Sequence, residues 1–167
     1  MKKPLKYGRN EDIALDLWVK LARASATFGK LSAENIRTFG LTVPQFGVLE
    51  CLGHLGPLTL STLSKKMLVS NGNITCVVGH LEGAGIVERS QSQADRRFMI
   101  VKLTPAGESL FNEIFIKHAK FIGSAASVLT IQEQETLSML LKKIGLSLRE
   151  WKSADKHPVN NYKEQLS

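Results

Sequence analysis

Apolar residues recur with the spacing of a helix in six stretches of this chain and with the leaning of a strand in two. Ile13, Leu17, Leu21, Phe28 and Leu31, with Trp18 alongside, predict one long helix from Glu11 to about Phe39. Thr42-Val43-Pro44-Gln45 opens a second: Thr42 caps it, Pro44 is tolerated in the first turn, and Gln45 completes a capping box. Phe46, Val48, Leu49 and Leu52 give that helix its apolar side, and Gly53-His54-Leu55-Gly56-Pro57 ends it. Thr59 caps a short third helix whose inner stripe is Leu60, Leu63, Met67 and Leu68. After a break at Val69-Ser70, Ser70 caps a fourth helix. There Ile74, Val77, Val78 and Leu81 recur at i, i+3, i+4 and i+7, until Gly83-Ala84-Gly85 stops it.

Two β-leaning runs come next, Ile86-Val87-Glu88-Arg89 and Phe98 to Leu103, joined by a polar tip from Ser90 to Arg97. Thr104-Pro105 then starts a fifth helix carrying Leu110, Phe111, Ile114, Phe115 and Phe121. Thr130-Ile131-Gln132-Glu133 is a second capping box. It opens a last helix with Ile131, Leu137, Leu140, Leu141, Ile144, Leu148 and Trp151. The fold class that follows is mainly α with a small β-hairpin: a winged helix-turn-helix lobe flanked by N- and C-terminal dimerisation helices. Helix, turn, helix and basic hairpin in that order form a DNA-reading arrangement. The expected organisation is a flexible basic arm over residues 1–10, a single domain over 11–151, and a polar, frayed tail over 152–167. Within the domain, 42–104 is the lobe, and 11–40 and 105–151 are the dimerisation helices. These long helices carry more apolar stripe than one small domain easily covers. Pairing with a second copy is the economical solution, and completion of a monomeric core is the alternative.

Composition changes this picture little. The 167 residues are 43% hydrophobic and 22% charged, as in an ordinary globular protein. A net charge of +7, with a pI near 9.5, favours polyanionic partners. No run approaches the ~18 apolar residues of a membrane helix, and the basic start lacks the apolar stretch of a secretion signal. The expectation is a cytoplasmic protein with no membrane partner.

The fourth helix turns Gly72, Cys76, Gly79 and Gly83 outward, flanked by Asn73, Thr75 and His80. Small residues there let a helix lie deep in a major groove, where Asn and Thr side chains hydrogen-bond base edges; a merely solvated face is the bland alternative. Ser70 and the first-turn amides can take a phosphate, and Ser61, Thr62 and Lys65 of the preceding helix can meet the backbone. In Asp95-Arg96-Arg97 the carboxylate can orient an arginine for a narrow minor groove.

Ser70-Asn71-Gly72-Asn73-Ile74-Thr75, Leu81 to Arg89, Asp95-Arg96-Arg97 and Leu103-Thr104-Pro105-Ala106-Gly107 together resemble the multiple antibiotic resistance regulator (MarR) family. The motifs cover the middle third, and the helix order fits nearly the whole chain. The resemblance implies a homodimer with interlocked terminal helices whose two winged lobes bind a palindromic operator. It also implies transcriptional repression, relieved by a small phenolic or lipophilic effector bound between the dimerisation helices and the lobe. By position, Arg97 would enter the minor groove with Asp95 as its partner, and Asn71, Asn73 and Thr75 would meet the major groove. Many members carry an arginine after the Ile-Thr pair and two polar residues further along that face. This chain has Cys76, Gly79 and His80 in those places.

Phe28, Phe46, Phe111 and Phe115 are candidates for lining an effector pocket, although such spacing also suits plain core. Cys51 reads as a core residue. Cys76 faces outward near a helix N-terminus, where a thiol-based redox switch is the alternative to an inert side chain. The four histidines form no metal spacing, and the sequence shows no phosphate loop, nucleophile elbow or paired carboxylates. No enzyme, metal or cofactor is expected. The rival readings are a winged-helix module that binds protein and a non-specific architectural DNA binder.

Overall fold

The computed structural model describes residues 6–93 and 95–153. It divides into a unit that ends at Gly123 and one that begins at Ser124. The first unit opens with α1 (Arg9–Arg37), followed by α2 (Val43–Leu55), β1 (Leu58–Thr59), α3 (Leu60–Met67) and α4 (Asn71–Gly83). Then come β2 (Val87–Gln91), β3 (Met99–Leu103) and most of α5 (Pro105–Ala126). The second unit contains α6 (Ile131–Ser153).

The helix starts follow local chemistry. Thr42 Oγ1 accepts from the Gln45 amide while Gln45 Oε1 accepts from the Thr42 amide at 2.8 Å, a closed capping box. Thr59 accepts from the Thr62 amide at 3.1 Å and Ser70 from the Asn73 amide at 3.3 Å. Thr130 and Glu133 repeat the box at the head of α6. At the other end of the chain, α1 starts at Arg9, so Arg9 and Asn10 belong to a helix rather than to a basic arm. Gly8 caps it, and Glu11 and Asp12 place acid in the positive first turn. Residues 1–5 of the expected arm and 154–167 of the expected tail lie outside the described residues.

The core sits among α2, α3, α4 and the sheet. Val48, Leu49, Leu63, Ile74, Val78, Leu81, Val87 and Val101 are all but inaccessible. Two expectations change here. Leu68 does not belong to the inner stripe: it ends α3 in the left-handed region (φ 56°) and is 79% exposed. The helix is over at Met67, so the helical period no longer aims the next side chain inward. The hairpin is also one strand short of what forms. Leu58 pairs with Val101 and Thr59 with Ile100, giving a three-stranded antiparallel sheet in the order β1-β3-β2. A two-residue strand has no alternation to detect, and its partner lies some forty residues away.

Candidate nucleic-acid interface

Burial of one side of α4 determines what its other side presents. With Ile74, Val77, Val78 and Leu81 in the core, Asn71, Gly72, Asn73, Thr75, Cys76, His80 and Gly83 are exposed. Asn71 and Asn73 lie in the first turn, where backbone amides point out of the helix end. Ser70 uses its hydroxyl oxygen on the Asn73 amide. The Thr75 hydroxyl donates to the Asn71 carbonyl at 2.9 Å, so its one proton is engaged within the helix. Cys76 Sγ lies 4.0 Å from His80 Nδ1, one turn on along the same exposed side.

On α3, Ser61 and Thr62 are half-buried, and their hydroxyls lie 3.0 and 2.8 Å from Thr59 Oγ1 in a small cluster at the helix start. Lys65 is exposed in the last turn. The adjacent Lys66, which the sequence reading passed over, is exposed as well. Its signal was simply a second lysine in the same turn.

The wing tip is ordered by its own side chains. Asp95 accepts from Arg97 Nη2 at 2.7 Å, from Arg97 Nε at 3.1 Å and from the Arg97 amide at 3.0 Å. The Arg97 guanidinium, and after it the Arg97 amide, hold the Asp95 carboxyl below the usual carboxylate range; the carboxylate in turn raises the guanidinium. Arg97 remains 85% exposed, a fixed cation with its outer edge free for another anion. Ser92 was missed by the sequence reading. Its hydroxyl accepts from the Asp95 amide at 3.3 Å and holds the turn that presents the pair. A Ser three residues before Asp in a polar tip was the available signal. Arg96 is exposed beside it.

Helix α4 and the wing are joined by contacts within the same unit. Arg89 of β2 donates through Nε to Glu82 of α4 at 2.8 Å, and its Nη2 closes an ion pair on the same oxygen. That hydrogen bond lowers the Glu82 carboxyl and raises the Arg89 guanidinium. Thr104 donates to the Gly85 carbonyl at 2.6 Å, and its amide donates to the Ile86 carbonyl at 3.0 Å. The turn after α4 is thereby tied to the start of α5.

The four phenylalanines named as pocket candidates divide. Phe46, Phe111 and Phe115 form one ring cluster, with centroids 5.2 Å apart for Phe111–Phe115 and 6.2 Å for Phe46–Phe115. His54 stands edge-on to Phe111 and Phe115, and His118 edge-on to Phe46. Phe28 is not among them. It lies on α1, is 40% exposed and makes no ring contact with them. His118 Nδ1 donates to Asn35 Oδ1 at 2.8 Å, and burial pushes its pKa down against the opposing pull of Glu50. Phe111 also walls a pocket of about 320 Å³ with Leu52, Gly53, Lys102 and Asn112. Among the described residues, no three His, Cys, Asp or Glu side chains gather as a metal site. No single described helix is long and apolar enough to cross a membrane.

The MarR family model matches residues 41–98, the stretch that holds α2, β1, α3, α4 and β2 and ends just before β3. The HTH-type transcriptional regulator MhqR of Bacillus subtilis (strain 168) is 35% identical over 138 residues, covering 83% of this chain and 95% of that protein. The chain belongs to the MarR family. It is a DNA-binding transcriptional regulator, and its relatives are regulators rather than enzymes. Two solved MarR-like folds carry further information. One, on regulation of DNA binding of Bordetella bronchiseptica BpsR by 6-hydroxynicotinic acid, superposes with a TM-score of 0.69 at 26% identity, covering 78% of this chain and 98% of that one. The other, reduced AbfR bound to DNA, has a TM-score of 0.64 at 25% identity and covers 83% and 96%.

Proposed function

We propose that this MarR-family protein is a cytoplasmic homodimeric repressor that binds a palindromic operator and is released by a small phenolic or lipophilic ligand. The observation that carries the reading is the apolar surface left open on two helices. On α1, Ile13, Leu17, Trp18 and Leu31 are exposed, and on α6 Leu137, Leu140, Leu141 and Leu148 are exposed. Surfaces of this kind are covered by another chain, and closed twofold pairing is the commonest way to do it. Two lobes related by a twofold axis match a palindromic site. In each lobe, Asn71, Asn73 and Thr75 would face the major groove, Arg96 and Arg97 the minor groove and backbone, and Lys65 with the α3 hydroxyls the phosphates.

Ligand release draws support from BpsR, whose DNA binding is regulated by a hydroxylated aromatic acid. In this chain the Phe46, Phe111 and Phe115 rings with His54, and the pocket beside Phe111, offer flat apolar walls with a few polar groups. Fluorescence anisotropy tests the DNA reading. One duplex carries the DNA upstream of the protein's own gene and the other is scrambled, each titrated across a salt series. Salt-sensitive binding with a preference of ~10³ or more for the first is expected. Equal binding to both at every salt concentration would favour an architectural binder. Failure of the bound complex to block transcription from that promoter in vitro would remove the repressor role.

A further inference from the structure

Thr75 is a groove-facing residue whose polar group is already engaged. Its hydroxyl donates to the Asn71 carbonyl at 2.9 Å, which uses its one proton and turns the oxygen back along the helix. The side chain is nonetheless exposed. With the hydroxyl turned back, the γ-methyl is the group left to meet a partner. Gly72 and Gly79, three residues before and four after, lack side chains, and a Cβ at either would meet no atom within 4 Å, so the surface on those two sides of Thr75 is low. Cys76, next in sequence and also exposed, adds a soft sulfur that is a weak donor.

In the major groove only thymine presents a methyl group, and contact with a threonine methyl is one of the ways it is read. We propose that Thr75 selects a thymine in each operator half-site through its methyl group and not through a hydrogen bond. The inference rests on the specific-operator reading above. It makes Thr75 a specificity-determining residue whose chemistry is apolar. Its hydroxyl oxygen keeps lone pairs that can accept from adenine or cytosine amino groups, so the two γ-substituents make opposite demands and can be separated.

The experiment uses the full chain. A preferred duplex is selected from a randomised library, and each recurring thymine is then replaced in turn by deoxyuridine, which removes only the methyl. Anisotropy is measured with the unaltered protein, Thr75→Ser, which keeps the hydroxyl, and Thr75→Val, which keeps a methyl at the same place. Deoxyuridine at one position per half-site is expected to weaken the unaltered protein about fourfold, the equivalent of one buried methyl-sized group. Thr75→Ser should bind the thymine and uracil duplexes alike, while Thr75→Val keeps the difference. Tolerance of uracil at every position by the unaltered protein overturns the inference, whatever the variants do. So does discrimination that survives in Thr75→Ser and disappears in Thr75→Val. A selection that yields no preferred sequence overturns the operator reading itself, and this inference with it.

Discussion

Helices α4 and α6 carry the same kind of apolar repeat and end in opposite situations. In α4, Ile74, Val78 and Leu81 lie inside the core of their own unit. In α6, Leu137, Leu140, Leu141 and Leu148 each keep more than a third of their surface exposed. The period of an apolar stripe says that a face is to be covered; it does not say by what. The neighbours of α4 are close in sequence and its stripe has an obvious lid. Among the described residues, the stripe of α6 is left open. The contrast separates what the first unit completes by itself from what, on the proposed reading, a second copy would cover.

Leu81→Ala breaks the α4 side most strongly. Removing an enclosed leucine is expected to cost about 3 kcal/mol, read as a lower urea midpoint at a fixed protein concentration. Leu140→Asp tests the other side. Monomer stability should change little, while dimer dissociation measured by sedimentation rises on the order of 10²-fold, because the twofold axis places the charge in the interface twice. An unchanged sedimentation profile would return α6 to the solvated class and remove the contrast. Arg97→Ala leaves both cores intact. It should weaken operator binding about tenfold across sequences and lower the salt slope by roughly one per wing.

The smallest expected effect belongs to His118, buried where α5 meets α1 and α2. Its pKa is depressed below the ordinary 6.5 by burial, so the unfolded chain binds the proton more readily than the folded one. Stability from this residue is therefore complete above about pH 6.5 and declines as pH falls from there toward the lower folded value. Denaturation midpoints should drop between pH 7 and pH 5, and His118→Gln should flatten that stretch of the profile. A slope unchanged in the variant would assign it to other groups.

What was readable from the sequence was whatever is settled within four or five residues. The caps at Thr42, Thr59, Ser70 and Thr130 are of that kind, because acceptor and amide are three residues apart. The inward set of α4 was readable because the helical period alone decides it. Leu68 was not, since a single left-handed residue undid the period at its last step. Strand β1 escaped because its partner is distant in sequence, and Phe28 was grouped with rings that only tertiary packing could exclude. Asp95 was read as able to orient a tip arginine, and the family resemblance pointed to Arg97, the residue it holds; the hydroxyls of Thr75, Ser61 and Thr62 were assumed to be available. Residue type gives the capacity of a hydroxyl, and the nearest backbone or side-chain oxygen decides its use.

The ion pair between Glu82 and Arg89 sets a span as well as a contact. With the end of α4 tied to the first wing strand, the lobe, on the proposed reading, would act as a caliper whose jaws open little. A duplex with a mismatched groove width would then have to deform to be gripped. The cost of that deformation depends on base steps the protein never touches, so this surface bridge would give the regulator a say over sequence between its contact points.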